Sequence, residues 1–61
     1  MKLKIEIQMD NAAFEDGAGI EAARILKALA EDFQDRDLLP GEMFRLRDVN
    51  GNKVGEAKVT R

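Results

Sequence analysis

MFRLRDVNGNKVGEAKV, residues 43–59, places two alternating runs on either side of Asp48-Val49-Asn50-Gly51-Asn52. A turn of this composition between such runs is the strongest short-range signal of a β-hairpin. Asn50 and Gly51 both tolerate positive φ, which suits a two-residue type I′ turn. If Val49 pairs with Asn52, Phe44 falls opposite Ala57 and Leu46 opposite Gly55, and Phe44, Leu46, Ala57 and Val59 share one face. Asp48 can instead open a type I turn with a bulge at Gly51, and the same core face then needs a second bulge near Gly55. Val54 fits cleanly into neither register.

Upstream, Leu3, Ile5, Ile7 and Met9 alternate with Lys2, Lys4, Glu6 and Gln8 without an error. That period of two predicts a strand over residues 2–9 with one buried face. Asp10-Asn11 ends it, and Phe14 is placed to plug the open end of the core. Asp16-Gly17 supplies a turn, with Asp16 as N-cap of the helix that follows. From Ala18 to Gln34 the apolar period is helical: Ala22, Leu26, Leu29 and Phe33 form the stripe, Ile25 flanks it, and Glu21, Arg24 and Lys27 face away. Ile20 lies off the stripe, either against Phe14 or exposed. Leu39-Pro40-Gly41-Glu42 has the residues of a type II turn. The expected architecture is α+β in the order β-α-β-β: a single domain over residues 1–61, with one helix packed on one face of a three-stranded sheet that ends in the C-terminal hairpin.

With 61 residues, the chain is near the lower limit for an unassisted core. It has no cysteine, so disulfides and thiolate metal sites are excluded, in keeping with a reducing cytoplasm. The alternating N-terminus is unlike a signal peptide, and no stretch approaches the ~20 apolar residues of a membrane span. A cytoplasmic, soluble protein is expected. His, Ser, Tyr and Trp are also absent, and the one hydroxyl is Thr60. The usual nucleophiles and the neutral-pH acid–base residue are therefore missing, and the expectation is a non-enzymatic protein without cofactor or catalytic residues.

The net charge of −2 conceals a split: residues 10–42 hold nine carboxylates against Arg24, Lys27 and Arg36, a net of −6, while the strand segments carry +4. With a helix on one sheet face, Lys2, Lys4, Arg45, Arg47 and Lys58 line the other, with Glu6 and Glu56 among them. Such a face is a candidate surface for nucleic acid or another anionic partner. It is equally what a solvated sheet requires, and it lacks aromatic platforms for stacking bases. The acidic group Glu31, Asp32, Asp35 and Asp37 sits at the helix C-terminus, where the macrodipole favours cations. Its spacing does not secure the inward oxygens of a hard-cation site, and the Asp48–Asn52 loop lacks the glutamate of a calcium loop, so no metal site is expected. Opposed acidic and basic surfaces, or free strand edges, offer a route to a homodimer.

Asp10-Asn11-Ala12-Ala13-Phe14, the helical Ala23-Arg24-Ile25-Leu26, and Leu46-Arg47-Asp48-Val49-Asn50-Gly51-Asn52-Lys53-Val54-Gly55 resemble a group of small bacteriophage- and prophage-encoded proteins without assigned activity. The resemblance implies a phage or prophage context and a protein that acts by binding host or phage machinery; it supplies no catalytic residue. The leading expectation is thus a small protein that binds another protein, with Ile20 and Val54 as candidate contact residues. The alternative is a weak nucleic-acid-binding module using Lys2, Lys4, Arg45, Arg47 and Lys58.

Overall fold

In the computed structural model, which describes Met1–Arg61, strand β3 (Lys53–Thr60) lies at the centre of a three-stranded antiparallel sheet. Strands β1 (Lys2–Ile7) and β2 (Met43–Arg47) flank it in the order β1-β3-β2. β1 and β2 run the same way, but β3 separates them. Helix α1 (Ala18–Gln34) packs on one face, preceded by a single 3₁₀ turn, Ala12–Phe14. The architecture is the expected α+β fold, with the third strand central.

The hairpin takes the second of its two registers. Asp48 N–H donates to the Asn52 carbonyl at 2.9 Å and Gly51 N–H to the Asp48 carbonyl at 3.0 Å. Gly51 alone has positive φ there, 87°, so Asn50 is not in the left-handed region a type I′ turn requires. The result is a type I turn with a glycine bulge. A second bulge follows: Arg47 faces Lys53 while Leu46 faces Gly55, which leaves Val54 unopposed. Phe44 then meets Ala57, as both registers required. Val54 turns into the core beside Phe14, Ile25, Leu29, Phe44, Leu46, Ala57 and Val59. It is buried, so it is not a surface contact residue; Ile20 is exposed.

The helix has the expected limits but a different rotation. Its buried residues are Glu21, Ile25 and Leu29, and Leu26 is nearly half exposed. Its N-cap is Gly17 at φ 141°, with no side-chain cap, so Asp16 does not serve that role. Phe33 meets Phe44 edge-on with ring centroids 5.1 Å apart, and the Arg36 guanidinium lies 5.0 Å from the centroid of the same ring. In the turn before β2, Glu42 N–H donates to the Leu39 carbonyl at 3.1 Å and Gly41 has φ 97°, as the Pro-Gly pair predicts.

These contacts draw α1 towards β2, the strand it approaches most closely. Ile7 of β1 packs against the core, but the rest of the strand's apolar face is left partly uncovered. Leu3 and Ile5 are 43% and 42% exposed, although their cross-strand neighbours Val59 and Ala57 are 2% and 0% exposed. The alternation in β1 is real, but one apolar face of it is only half buried, and Met9 lies outside the strand and exposed.

At Gly55 a side chain cannot be accommodated. A Cβ there would fall on the Glu6 carbonyl oxygen and 2.9 Å from Ile7 Cα, both backbone atoms of β1. Gly55→Ala is expected to cost about 3 kcal/mol or more, at or beyond the top of the usual overpacking range. Gly19→Ala, in the helix with nothing within 4 Å of the added methyl, should instead stabilise by about 0.5 kcal/mol. Urea midpoints of the two variants check both signs.

Candidate functional site

Three surfaces carry the chain's charge and exposed apolar groups, and one buried polar cluster organises them. Asp48, 5% exposed, is the hub of the cluster. Its Oδ1 accepts from the backbone N–H groups of Asn50 and Asn52, each at 2.9 Å. Its Oδ2 accepts from Asn11 Nδ2 at 2.8 Å and Asn52 Nδ2 at 3.3 Å. Asn11 in turn caps the 3₁₀ turn by accepting from Ala13 N–H at 3.0 Å. Glu21, 7% exposed, sits on the next segment: its Oε2 accepts from Val49 N–H at 2.8 Å. Arg24 donates to both Glu21 oxygens, at 2.8 and 3.0 Å, and to the Arg47 carbonyl at 3.2 Å.

Every buried side-chain polar atom has a partner. For Asp48, burial pushes the carboxyl upward, but hydrogen bonds from Asn52, Asn11 and Asn50 outweigh it and hold the group below its ordinary range. Hydrogen bonding from Arg24 holds Glu21 low against the opposing effect of burial, with Val49 N–H adding to it. The Arg24 guanidinium is raised by the same pair. Asp48 accepts four hydrogen bonds and Glu21 three, and both carboxylates are kept ionised, the reverse of a general acid. Their work is to bolt the hairpin turn to the helix and to the segment after β1.

The helical period alone puts Glu21 on the outer helix face, and the local sequence puts Asp48 in the turn alone. The signal for Asp48 was the Asx-turn chemistry of Asp-Val-Asn-Gly-Asn. The only local signal at Glu21 is the i,i+3 pairing with Arg24, which equally suits a solvated helix face; its other partner, the Val49 N–H, is 28 residues away.

The open sheet face holds Lys2, Lys4, Arg45, Arg47 and Lys58, but in a banded pattern. Lys4 stands directly opposite Lys58, and the next rung opposes Glu6 to Glu56, with Arg45 beyond. Lys53 reaches Glu56 at 4.0 Å. Met43, also exposed, continues the Lys4–Lys58 rung. The bases are brought together on one face, yet two carboxylates interrupt them, so no continuous basic track forms.

Between α1 and β2 runs an open groove of about 440 Å³, walled by Glu31, Asp32 and Asp35 on one side and Arg45 and Arg47 on the other. Asp32 pairs with Arg36 at 3.8 Å, both exposed. No group of three His, Cys, Asp or Glu side chains is arranged to hold a metal ion. No helix is long and apolar enough to cross a membrane.

The third surface is apolar. Leu3 and Ile5 line the helix-side face of β1, and because the groove residues mark the β2 flank of α1, Leu26 belongs to the flank above β1. No hydrogen bond or ion pair from a side chain of the polar cluster reaches the row.

Because the native carboxyls of Glu21 and Asp48 are held below their ordinary values of 4.5 and 3.8, the unfolded chain binds more protons in acid. Stability from these groups is complete above that range and lost as pH falls through it towards the depressed native values. Urea midpoints should therefore be flat from pH 7 to about 5 and drop below about 4. Glu21→Gln and Asp48→Asn should each lower the plateau and shallow the acid slope. No protein-family model, curated protein or solved structure matches this chain.

Proposed function

We propose that this chain is a small non-enzymatic domain that binds another protein through the uncovered apolar row of β1 and the adjoining flank of α1. One observation carries the reading: Leu3 and Ile5 are nearly half exposed although they sit directly beside the best-buried residues of the sheet. An apolar row that is continuous with the core and left open is the kind of surface that marks a protein interface. Exposed Leu26 extends it onto the helix, whereas exposed Ile20, one turn before groove-lining Arg24, lies off this flank. The phage or prophage context suggested by the sequence fits a binder of host or phage machinery. The absence of His, Ser, Cys and Tyr, with both buried carboxylates engaged in structural hydrogen bonds, supports binding over catalysis. The nucleic-acid alternative draws less support, since Glu6 and Glu56 divide its basic residues.

Single photo-crosslinking residues at positions 3, 5 and 58 test this in cells that express the protein. Protein adducts are expected at positions 3 and 5 and not at Lys58 on the opposite face. Adducts at Lys58 alone, or oligonucleotide binding that weakens with salt and with charge reversal of Arg45 and Arg47, would overturn it.

A further inference from the structure

β1 carries charges that are wrong for its neighbour inside the chain. Of its three open-face charges within the paired stretch, Lys2 faces Thr60, while Lys4 and Glu6 each face a like charge on β3: Lys4 faces Lys58, and Glu6 faces Glu56. Like charges directly opposite one another destabilise a sheet. No ion pair within the chain engages Lys4 or Glu6. The other edge of β1 is free, because β1 is the outer strand.

The backbone on that edge is ready to pair. Gln8 N–H donates to the Val54 carbonyl, which fixes the alternation of the β1–β3 ladder. Even-numbered residues of β1 bond to β3, and the N–H and C=O groups of Leu3, Ile5 and Ile7 point outward.

We infer that the occupant of this edge is a second copy of the chain, its β1 paired antiparallel about a two-fold axis through Ile5. This rests on the docking reading above and names the partner. The register follows from charge. Centred on Ile5, Lys4 faces the partner's Glu6 and Glu6 faces the partner's Lys4, while Leu3 lies opposite the partner's Ile7. Centred on Lys4 or on Glu6, the axis would bring two like charges together. Directly opposite residues share a sheet face, so both helices lie on the same side of a six-stranded sheet. The two uncovered Leu3–Ile5 rows then meet beneath a trough between the helices, flanked by Leu26 of each copy. The charges that repel within one chain attract between two.

Charge reversals separate this pairing from any other. Lys4→Glu and Glu6→Lys should each weaken self-association about tenfold by sedimentation, since each puts two like-charge pairs into the interface. The double variant should restore it to within about threefold. Folding is not at risk: each single change turns a like pair on β3 into an opposite one, so the thermal midpoint of the dilute monomer should hold or rise. In a chain without cysteine, Ile5→Cys should oxidise to a linked dimer faster than Lys4→Cys or Glu6→Cys, as the axis residues sit about 5.5 Å apart. A monomer at every concentration, or a double variant that stays dissociated, overturns the self-pairing. Adducts to other proteins at positions 3 and 5 alongside a monomer would leave the docking reading standing; a monomer with no adducts would remove both.

Discussion

The position of the helix follows from one carboxylate. Glu21 accepts from the backbone of Val49 and from Arg24, and Arg24 continues to the Arg47 carbonyl. Ion pairs on a surface are worth little, but hydrogen bonds from a backbone amide and a guanidinium to one buried carboxylate are directional. They tie the start of α1 to the mouth of the hairpin, and the Phe33–Phe44 contact ties its end to β2. A helix fastened at both ends over β2 cannot also roof β1. The half-exposed row of Leu3 and Ile5 is the remainder of that geometry.

Asp48 extends the same logic to the chain's early segment. Through Asn11 it links the turn after β2 to the residues that follow β1, which are 37 positions away in sequence. The segments Asp10–Phe14 and Leu46–Gly55, distinctive in the sequence, are therefore the two sides of one hydrogen-bonded junction. In a domain that buries few side chains, such a junction specifies the fold as much as apolar packing does.

Where periodicity is the only requirement, the sequence is legible. The helix limits, the alternating strands, the Pro-Gly turn and the facing of Phe44 with Ala57 all follow from local patterns. The rest is set by partners distant in sequence. The rotation of α1 could not be read because hydrophobic periodicity counts Glu21 as polar and therefore outside, whereas its hydrogen bonds bring it in. Val54 was ambiguous because a bulge resets alternation, and a bulge has no residue signature beyond the neighbouring glycine. On the open face, the list of bases was recoverable, but the Lys4–Lys58 and Glu6–Glu56 rungs depend on register between the chain's two ends. Alternation alone makes the apolar row look like core, because it records which face a residue is on, not whether anything covers that face.

The ladder between β1 and β3 begins at Lys2 opposite Thr60. Both ends of the chain thus leave from the same end of neighbouring antiparallel strands. Tension applied across them would load one hydrogen-bonded pair at a time and peel the sheet like a zipper, instead of shearing all the rungs together. A fold wired this way is mechanically soft along the line joining its termini, whatever its resistance to heat or denaturant.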